Sequence, residues 1–295
     1  MIFGLIGLGR MGLAVAERLQ SQGFDEIVVW DRNPERLRVA EQMGLIVAEN
    51  AQEVAQSASM IMSLINDDAG AKNLYYGPQG LLQASVDGKL FIESSTLQPQ
   101  TVRELSVRVQ QMGAQLIGCA PFMGTIPTVK AGLVFIPAGG RLQDIERAQP
   151  VLSALSVSVK HMGAVGSGHA IKLVSNLTLA AYIQSLSEGL SLGLGEGLEM
   201  GQMLEVLAMA PTANAWLKNK KNVLMGHKDD TTLDINNLRK DMTNVVASGS
   251  ALGVPMGLSS ALVTSLSGAV AAGAGFEDIA HLPQFFIEQM VQKPA

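Results

Sequence analysis

The stretch "FGLIGLGRMG", residues 3–12, decides the fold. An apolar run ends in G-x-G-x-x-G, and the helical pattern "MGLAVAERLQSQG" starts within the same glycines. Between a strand and a helix each glycine has a mechanical reason. Gly7 permits the tight turn, Gly9 lets a pyrophosphate approach backbone N–H groups at a helix N-terminus, and Gly12 allows close packing of helix on sheet. Leu8, Arg10 and Met11 fill the positions between and are read with the glycines as a cofactor cradle. The next β-rich run, "EIVVWD", ends at Asp31, about 20 residues on, where an acid can hydrogen-bond the ribose diol of NAD. Asp31 repels a 2′-phosphate, whereas Arg32 can attract one or stack on adenine, so the reading favours NAD and keeps NADP open.

Working outward, "ASMIMSLI", "KLFIES", "AQLIGCA" and "GLVFIPAGG" are further strand candidates, separated by helical patterns such as "TVRELSVRVQQMG". Strand and helix in alternation imply right-handed crossovers and a parallel-dominated sheet. After about residue 163 the β signals stop, and the runs "GHAIKLVSNLTLAAYIQSLSEGLSLGLGEGLEMG" and "TLDINNLRKDMTNVVASGSALG" are helical in character. The expected architecture is an α/β Rossmann domain over residues 1–163, joined by a long helix to an all-α domain over residues 164–295.

Composition narrows the function classes. With 47% hydrophobic and 16% charged residues the chain has ample core, and its net charge of -5 without a Lys/Arg-rich block offers no footprint for nucleic acid or an anionic membrane. A small-molecule substrate and other copies of the chain are the expected partners. Cys119 is the sole cysteine, which excludes an internal disulfide and favours a reducing compartment, the cytoplasm by default. The N-terminus reads as a first strand without the basic region of a signal peptide, and "ALGVPMGLSSALVTSLSGAVAAGAGF" as a buried core helix, not a membrane span. The 4 histidines show no metal-ligand spacing, so no metal is expected. The long apolar segments of the helical half carry more hydrophobic surface than one small domain buries, which points to a homodimer or homotetramer.

The segment "GSGHAIKLVSN", residues 166–176, carries the sharpest chemical signal. Lys172 is the sole Lys, Arg, Asp or Glu between Lys160 and Glu188, in an otherwise apolar helix. A charged amine there costs free energy, and burial lowers its pKa toward that of a useful general base. Lys172 and Asn176 are four apart and share one helix face. Gly166 and Gly168 let the helix start close to another backbone. His169, three residues before Lys172, is read either as lining the cleft or, the favoured reading, as a helix-start residue facing solvent. Ser95 and Thr96 follow "KLFIES" at the carboxyl end of a strand, where open sheets bind ligands, although a plain helix N-cap is the simpler role for such residues.

Four blocks in order, "GLGRMG", "ESSTLQP", "GSGHAIKLVSN" and "RKDM", resemble the fingerprints of the β-hydroxyacid dehydrogenase family and cover almost the whole chain. The resemblance implies an NAD(P)-dependent oxidoreductase that interconverts an alcohol and its semialdehyde or ketone. It implies Lys172 as the acid/base, Ser95 and Asn176 on the substrate, Thr96 against the cofactor, and Lys240 lining the cleft toward both. Asp241 is read either as orienting Lys240 or as half of an exposed helical pair, and Trp216 as a core aromatic or a substrate contact. One block departs from the family: "CAPFMGT" stands where Asp-Ala-Pro-Val-Ser-Gly-Gly is usual. Met123 and Gly124 are the expected substrate contacts there, and the lost serine points to a bulkier or less polar substrate. The rival readings are an imine reductase, disfavoured by Lys172, and a non-catalytic NAD(P)-binding sensor.

Overall fold

The computed structural model describes residues 2–119, 122–227 and 231–291. Eight strands form one sheet: β1 (Phe3–Ile6), β2 (Ile27–Trp30), β3 (Ile46–Val47), β4 (Met60–Ser63), β5 (Leu90–Glu93), β6 (Gln115–Cys119), β7 (Val134–Gly139) and β8 (Ser156–His161). Their order is β3-β2-β1-β4-β5-β6-β7-β8. Pairing is parallel except between β6 and β7. The order reverses beside β1, and at such a switch point the loops after the strands diverge and leave a crevice for a ligand.

The helices α1 (Arg10–Ser21), α2 (Pro34–Gln42), α3 (Ala51–Ser57), α4 (Asp68–Tyr76), α5 (Pro99–Gln111), α6 (Ile126–Ala131) and α7 (Leu142–Leu155) follow the strands. Alternate side chains feed two cores, one on each face of the sheet: Phe3 and Leu5 of β1 pack with α1 and α7, while Ile6 packs with α3 and α5. The helical half comprises α8 (Ser167–Gly195), α9 (Met200–Met209), α10 (Ala215–Leu224), α11 (Ile235–Ala251), α12 (Gly257–Ala271) and α13 (Leu282–Val291). Apolar residues are spread around α8 instead of gathered on one face, as in a helix used on several sides. Its later turns share a core with α11 and α12 through Ile183, Leu238 and Leu262. No helix of the described residues is long and apolar enough to cross a membrane, and the apolar run near residue 257 is the 15-residue α12.

Two strands were not anticipated. β3 is only 2 residues long, and β8, "SVSVKH", lies at the sheet edge with a mostly exposed face, so neither offers a strong apolar signal. The compact units divide between Lys172 and Leu173, later than the expected boundary at 163. The reason is local. A Cβ on Gly168 would lie 2.5 Å from the Pro137 carbonyl oxygen and 2.8 Å from that of Gly118, so the first turn of α8 is pressed onto β6 and β7. Only glycine fits there, as the sequence suggested.

Candidate active site

The cofactor cradle is built from backbone geometry. Gly7 has φ 91°, and a Cβ there would fall 2.0 Å from the Leu64 carbonyl oxygen. A Cβ on Gly12 would fall 1.9 Å from the Gly7 carbonyl, so this glycine admits the loop backbone itself, a closer partner than the sheet. Gly9 differs: a Cβ there meets nothing nearer than an Arg36 nitrogen at 3.9 Å, and the residue lines a cavity of about 440 Å³. That cavity lies where the strand order reverses, between the loops after β1, β2 and β4. The open side of Gly9, at the start of α1, is where a pyrophosphate fits.

Asp31 is 5% exposed, and its carboxylate does more than face the cavity. Oδ2 accepts the Leu8 N–H at 2.6 Å and Arg36 Nη1 at 3.2 Å, and Oδ1 accepts the Asn33 N–H at 2.8 Å. One acid therefore ties the glycine loop to the end of β2. Gly7, Gly9, Asp31 and Arg32 line the cavity as expected. Leu8, Arg10, Met11, Gly12, Thr96 and Lys240 are not among its lining residues. Leu8 is fully buried with its N–H spent on Asp31, Met11 packs against the core, and Gly12 is sealed against Gly7. Sequence reasoning missed Arg36 and the stretch from Leu64 to Asp67. With Arg36 paired to Asp31 and Arg32 beside it, Asp31 is no lone negative charge, so it does not by itself exclude a 2′-phosphate.

At the carboxyl end of β5, Ser95 is 2% exposed. Its Oγ accepts the Ile65 N–H at 2.8 Å, and its own N–H donates to Glu93 Oε1 at 2.9 Å. Glu93 is fully buried and takes a second bond on Oε2 from Ser63 Oγ at 2.6 Å. Burial raises the Glu93 pKa, partly offset by the Ser63 and Ser95 bonds, and the Tyr75 hydroxyl is raised by burial and then by Glu93. The helix-cap role considered for Ser95 and Thr96 is not observed: α5 starts at Pro99 with Gln98 as N-cap and no side-chain bond.

Lys172 is half-buried on α8. His169, one turn before it, is 1% exposed, which corrects the expectation that it faces solvent: the close seating of Gly168 carries the neighbouring ring inward. In the helical unit, Asn176 Nδ2 donates to Asp241 Oδ2 at 2.6 Å, and Lys240 Nζ lies 2.9 Å from Asp241 Oδ1. Asp241 is 3% exposed, so it is a buried bridge between two proposed substrate residues, not half of an exposed pair. Trp216 packs in the helical core, edge-on to Tyr182 with centroids 6.1 Å apart.

Of the atypical "CAPFMGT" segment, Ala120 and Pro121 lie outside the described residues. Cys119 is fully buried in the core, where burial pushes its thiol pKa up and leaves it inert. Thr125 forms a capping box with Thr128 at the start of α6. Met123 is half-buried and bridges to Phe135, and Gly124 is exposed. No group of three or more His, Cys, Asp or Glu among the described residues has metal-holding geometry.

The cradle, the acid after β2 and the cavity at the strand reversal define a dinucleotide-binding protein. The family pattern described as the NAD binding domain of 6-phosphogluconate dehydrogenase matches residues 2–163, and that described as the NAD-binding of NADP-dependent 3-hydroxyisobutyrate dehydrogenase matches residues 166–285. The chain is 30% identical to mitochondrial 3-hydroxyisobutyrate dehydrogenase of Mus musculus over 223 residues, covering 76% of this chain and 66% of that protein. The Homo sapiens protein is 30% identical over 226 residues, 77% of this chain and 66% of the relative, so just under two thirds of each relative's length is matched. Among solved structures, Mycobacterium tuberculosis 3-hydroxyisobutyrate dehydrogenase with L-serine shares the fold at TM-score 0.85, with 22% identity and coverage of 97% of this chain and 99% of the other. An imine reductase from Myxococcus stipitatus with NAD+ follows at TM-score 0.66, with 19% identity and coverage of 96% and 98%. The chain belongs to the β-hydroxyacid dehydrogenase family.

Proposed function

We propose that this protein interconverts a β-hydroxyacid-like alcohol and its semialdehyde or ketone, with Lys172 as the general acid/base. The observation that carries this reading is the seating of Lys172: a half-buried amine on a helix whose first turn is pressed onto the strand ends beside Ser95. The cradle fits NAD(P), since Gly9 leaves open space at a helix start and Asp31, Arg32 and Arg36 surround the expected ribose position. When bound, the oxidised cofactor supplies the hydride acceptor and the reduced cofactor the donor. In oxidation the neutral Lys172 amine takes the hydroxyl proton as the carbonyl forms, and in reduction the ammonium returns it.

The family resemblance assigns substrate contact to Ser95, Asn176 and Lys240. Ser95 suits it by place, at the carboxyl end of β5, with its Oγ fixed by the Ile65 N–H and by the Glu93 carboxylate. Asn176 gives an N–H to Asp241 and so keeps its carbonyl oxygen as an acceptor, while Lys240 suits a carboxylate. Met123 is the residue of the atypical segment that reaches a half-exposed position, which supports a substrate bulkier or less polar than the small 3-hydroxy acids. Large exposed apolar side chains on the helical unit, including Leu192, Val206 and Met209, support a homodimer or homotetramer.

Absorbance at 340 nm, followed with NAD or NADP against a graded series of 3-hydroxy acids and cyclic imines, tests the reading. Oxidation of the larger hydroxy acids, abolished in Lys172→Ala, is the expected result. Preferred turnover of serine, glycerate or 3-hydroxyisobutyrate refutes the substrate class, and imine reduction alone replaces the activity.

A further inference from the structure

His169 has no part in the mechanism above, yet it is among the most buried polar residues of the protein, at 1% exposure. No hydrogen bond of good geometry reaches either ring nitrogen, and the one polar group close enough to favour the protonated ring is the Ser95 backbone. An apolar side chain would fill the same space without desolvating a ring that keeps so little hydrogen bonding, so the imidazole is an expensive choice for packing alone.

Its surroundings say what it does. A Cβ built on Gly118 would lie 2.9 Å from both Cε1 and Nδ1 of the ring, so the imidazole rests directly on the backbone of β6. Gly118 is the register partner of Glu93 on β5, the residue that fixes the Ser95 N–H. The Ser95 backbone also faces the ring and partly offsets the burial that holds the imidazole neutral, with a pKa of about 4. The ring is therefore uncharged at ordinary pH and is not itself an acid/base for the reaction. Lys172 is three residues further along the same helix, on the same face and about 4.5 Å up the axis.

We infer that His169 is a positioning residue, a wedge that seats the first turn of α8 on the β5 and β6 strand ends and so fixes the amine of Lys172 relative to Ser95. This rests on the proposed acid/base role of Lys172. An error of even about 1 Å in that relation costs on the order of a hundredfold in rate.

The test uses protein labelled with 13C at lysine Cε, in which the Lys172 signal is assigned by its loss in Lys172→Arg. His169→Leu removes the polar ring, His169→Gln keeps an amide in its place, and Gly118→Ala pushes the ring away with one methyl. In His169→Leu and Gly118→Ala the Lys172 signal is expected to move, kcat to fall at least about tenfold, and the Kd for NAD(P)H to stay within about twofold. His169→Gln is expected to lie closer to wild type in both readouts. A Lys172 signal unmoved in Gly118→Ala overturns the inference, whether or not the leucine variant folds, and so does unchanged kcat in His169→Leu. A signal that moves as expected in a protein that oxidises no hydroxy acid sustains the seating role and refutes the proposed activity.

Discussion

Asp31 in the sheet unit and Asp241 in the helical unit are both nearly buried carboxylates that organise a binding feature, and they do so differently. Asp31 accepts backbone N–H groups from Leu8 and Asn33, so what it holds is the course of the chain. Asp241 joins two side chains, the Asn176 amide and the Lys240 ammonium, of which Asn176 stands 65 residues away in sequence. A feature held by backbone needs glycines and short spacings, and it leaves a local pattern in the sequence. A feature held by paired side chains leaves none until the helices are packed.

The largest effect that sharpens this contrast belongs to Lys172. Lys172→Ala is expected to lower kcat by about 10²–10⁴-fold, measured at 340 nm, with cofactor affinity by NAD(P)H fluorescence unchanged. Equal loss of both would place the lysine in the cradle instead. Gly7→Ala follows, since it puts a methyl 2.0 Å from the Leu64 carbonyl oxygen at φ 91°. It should destabilise the protein by about 3 kcal/mol in urea titration and abolish cofactor binding. Tolerance of that methyl would mean that backbone geometry does not set the cradle.

His169 gives a pH dependence of similar size. Its pKa is about 4 in the folded protein, below the usual 6.5, so the unfolded chain binds the proton first as pH falls. Stability is full above about pH 6.5 and declines as pH drops toward 4, by about 3 kcal/mol from this residue. With acidification the urea midpoint of wild type should fall relative to that of His169→Gln, and a constant gap from pH 7 to 4.5 would show that the ring is not buried neutral. The smallest effects come from the two acids themselves. Asp31→Ala should cost about 1–3 kcal/mol of stability and weaken cofactor binding, whereas Asp241→Ala should leave the cofactor Kd alone and raise substrate KM about tenfold. Exchange of those phenotypes would break the comparison.

What could be read beforehand follows the same division. The glycine loop, Asp31 and the six strands β1, β2 and β4 to β7 were legible because strand alternation, turn glycines and the acid's spacing are local. Arg36 escaped notice because a helical arginine in "DRNPER" looks like any solvated residue until it reaches Asp31 at 3.2 Å. Lys172 stood out through the apolar run around it, but His169 did not, since a histidine near a helix start carries no sign of burial. Its inward position follows from Gly168, which the sequence did mark as a place of close approach. The Ser63–Glu93–Ser95 network depended on parallel register between β4 and β5, a relation that no single strand reveals.

The division between the compact units falls inside α8, between Lys172 and Leu173, and not in a loop. Most boundaries of this kind accept extra residues, because the chain there is exposed and irregular. Here a single inserted residue between 172 and 176 would turn everything after it by about 100° and carry Asn176 off the face it shares with Lys172. Variation in length is therefore excluded from the one place where a two-unit protein would ordinarily tolerate it.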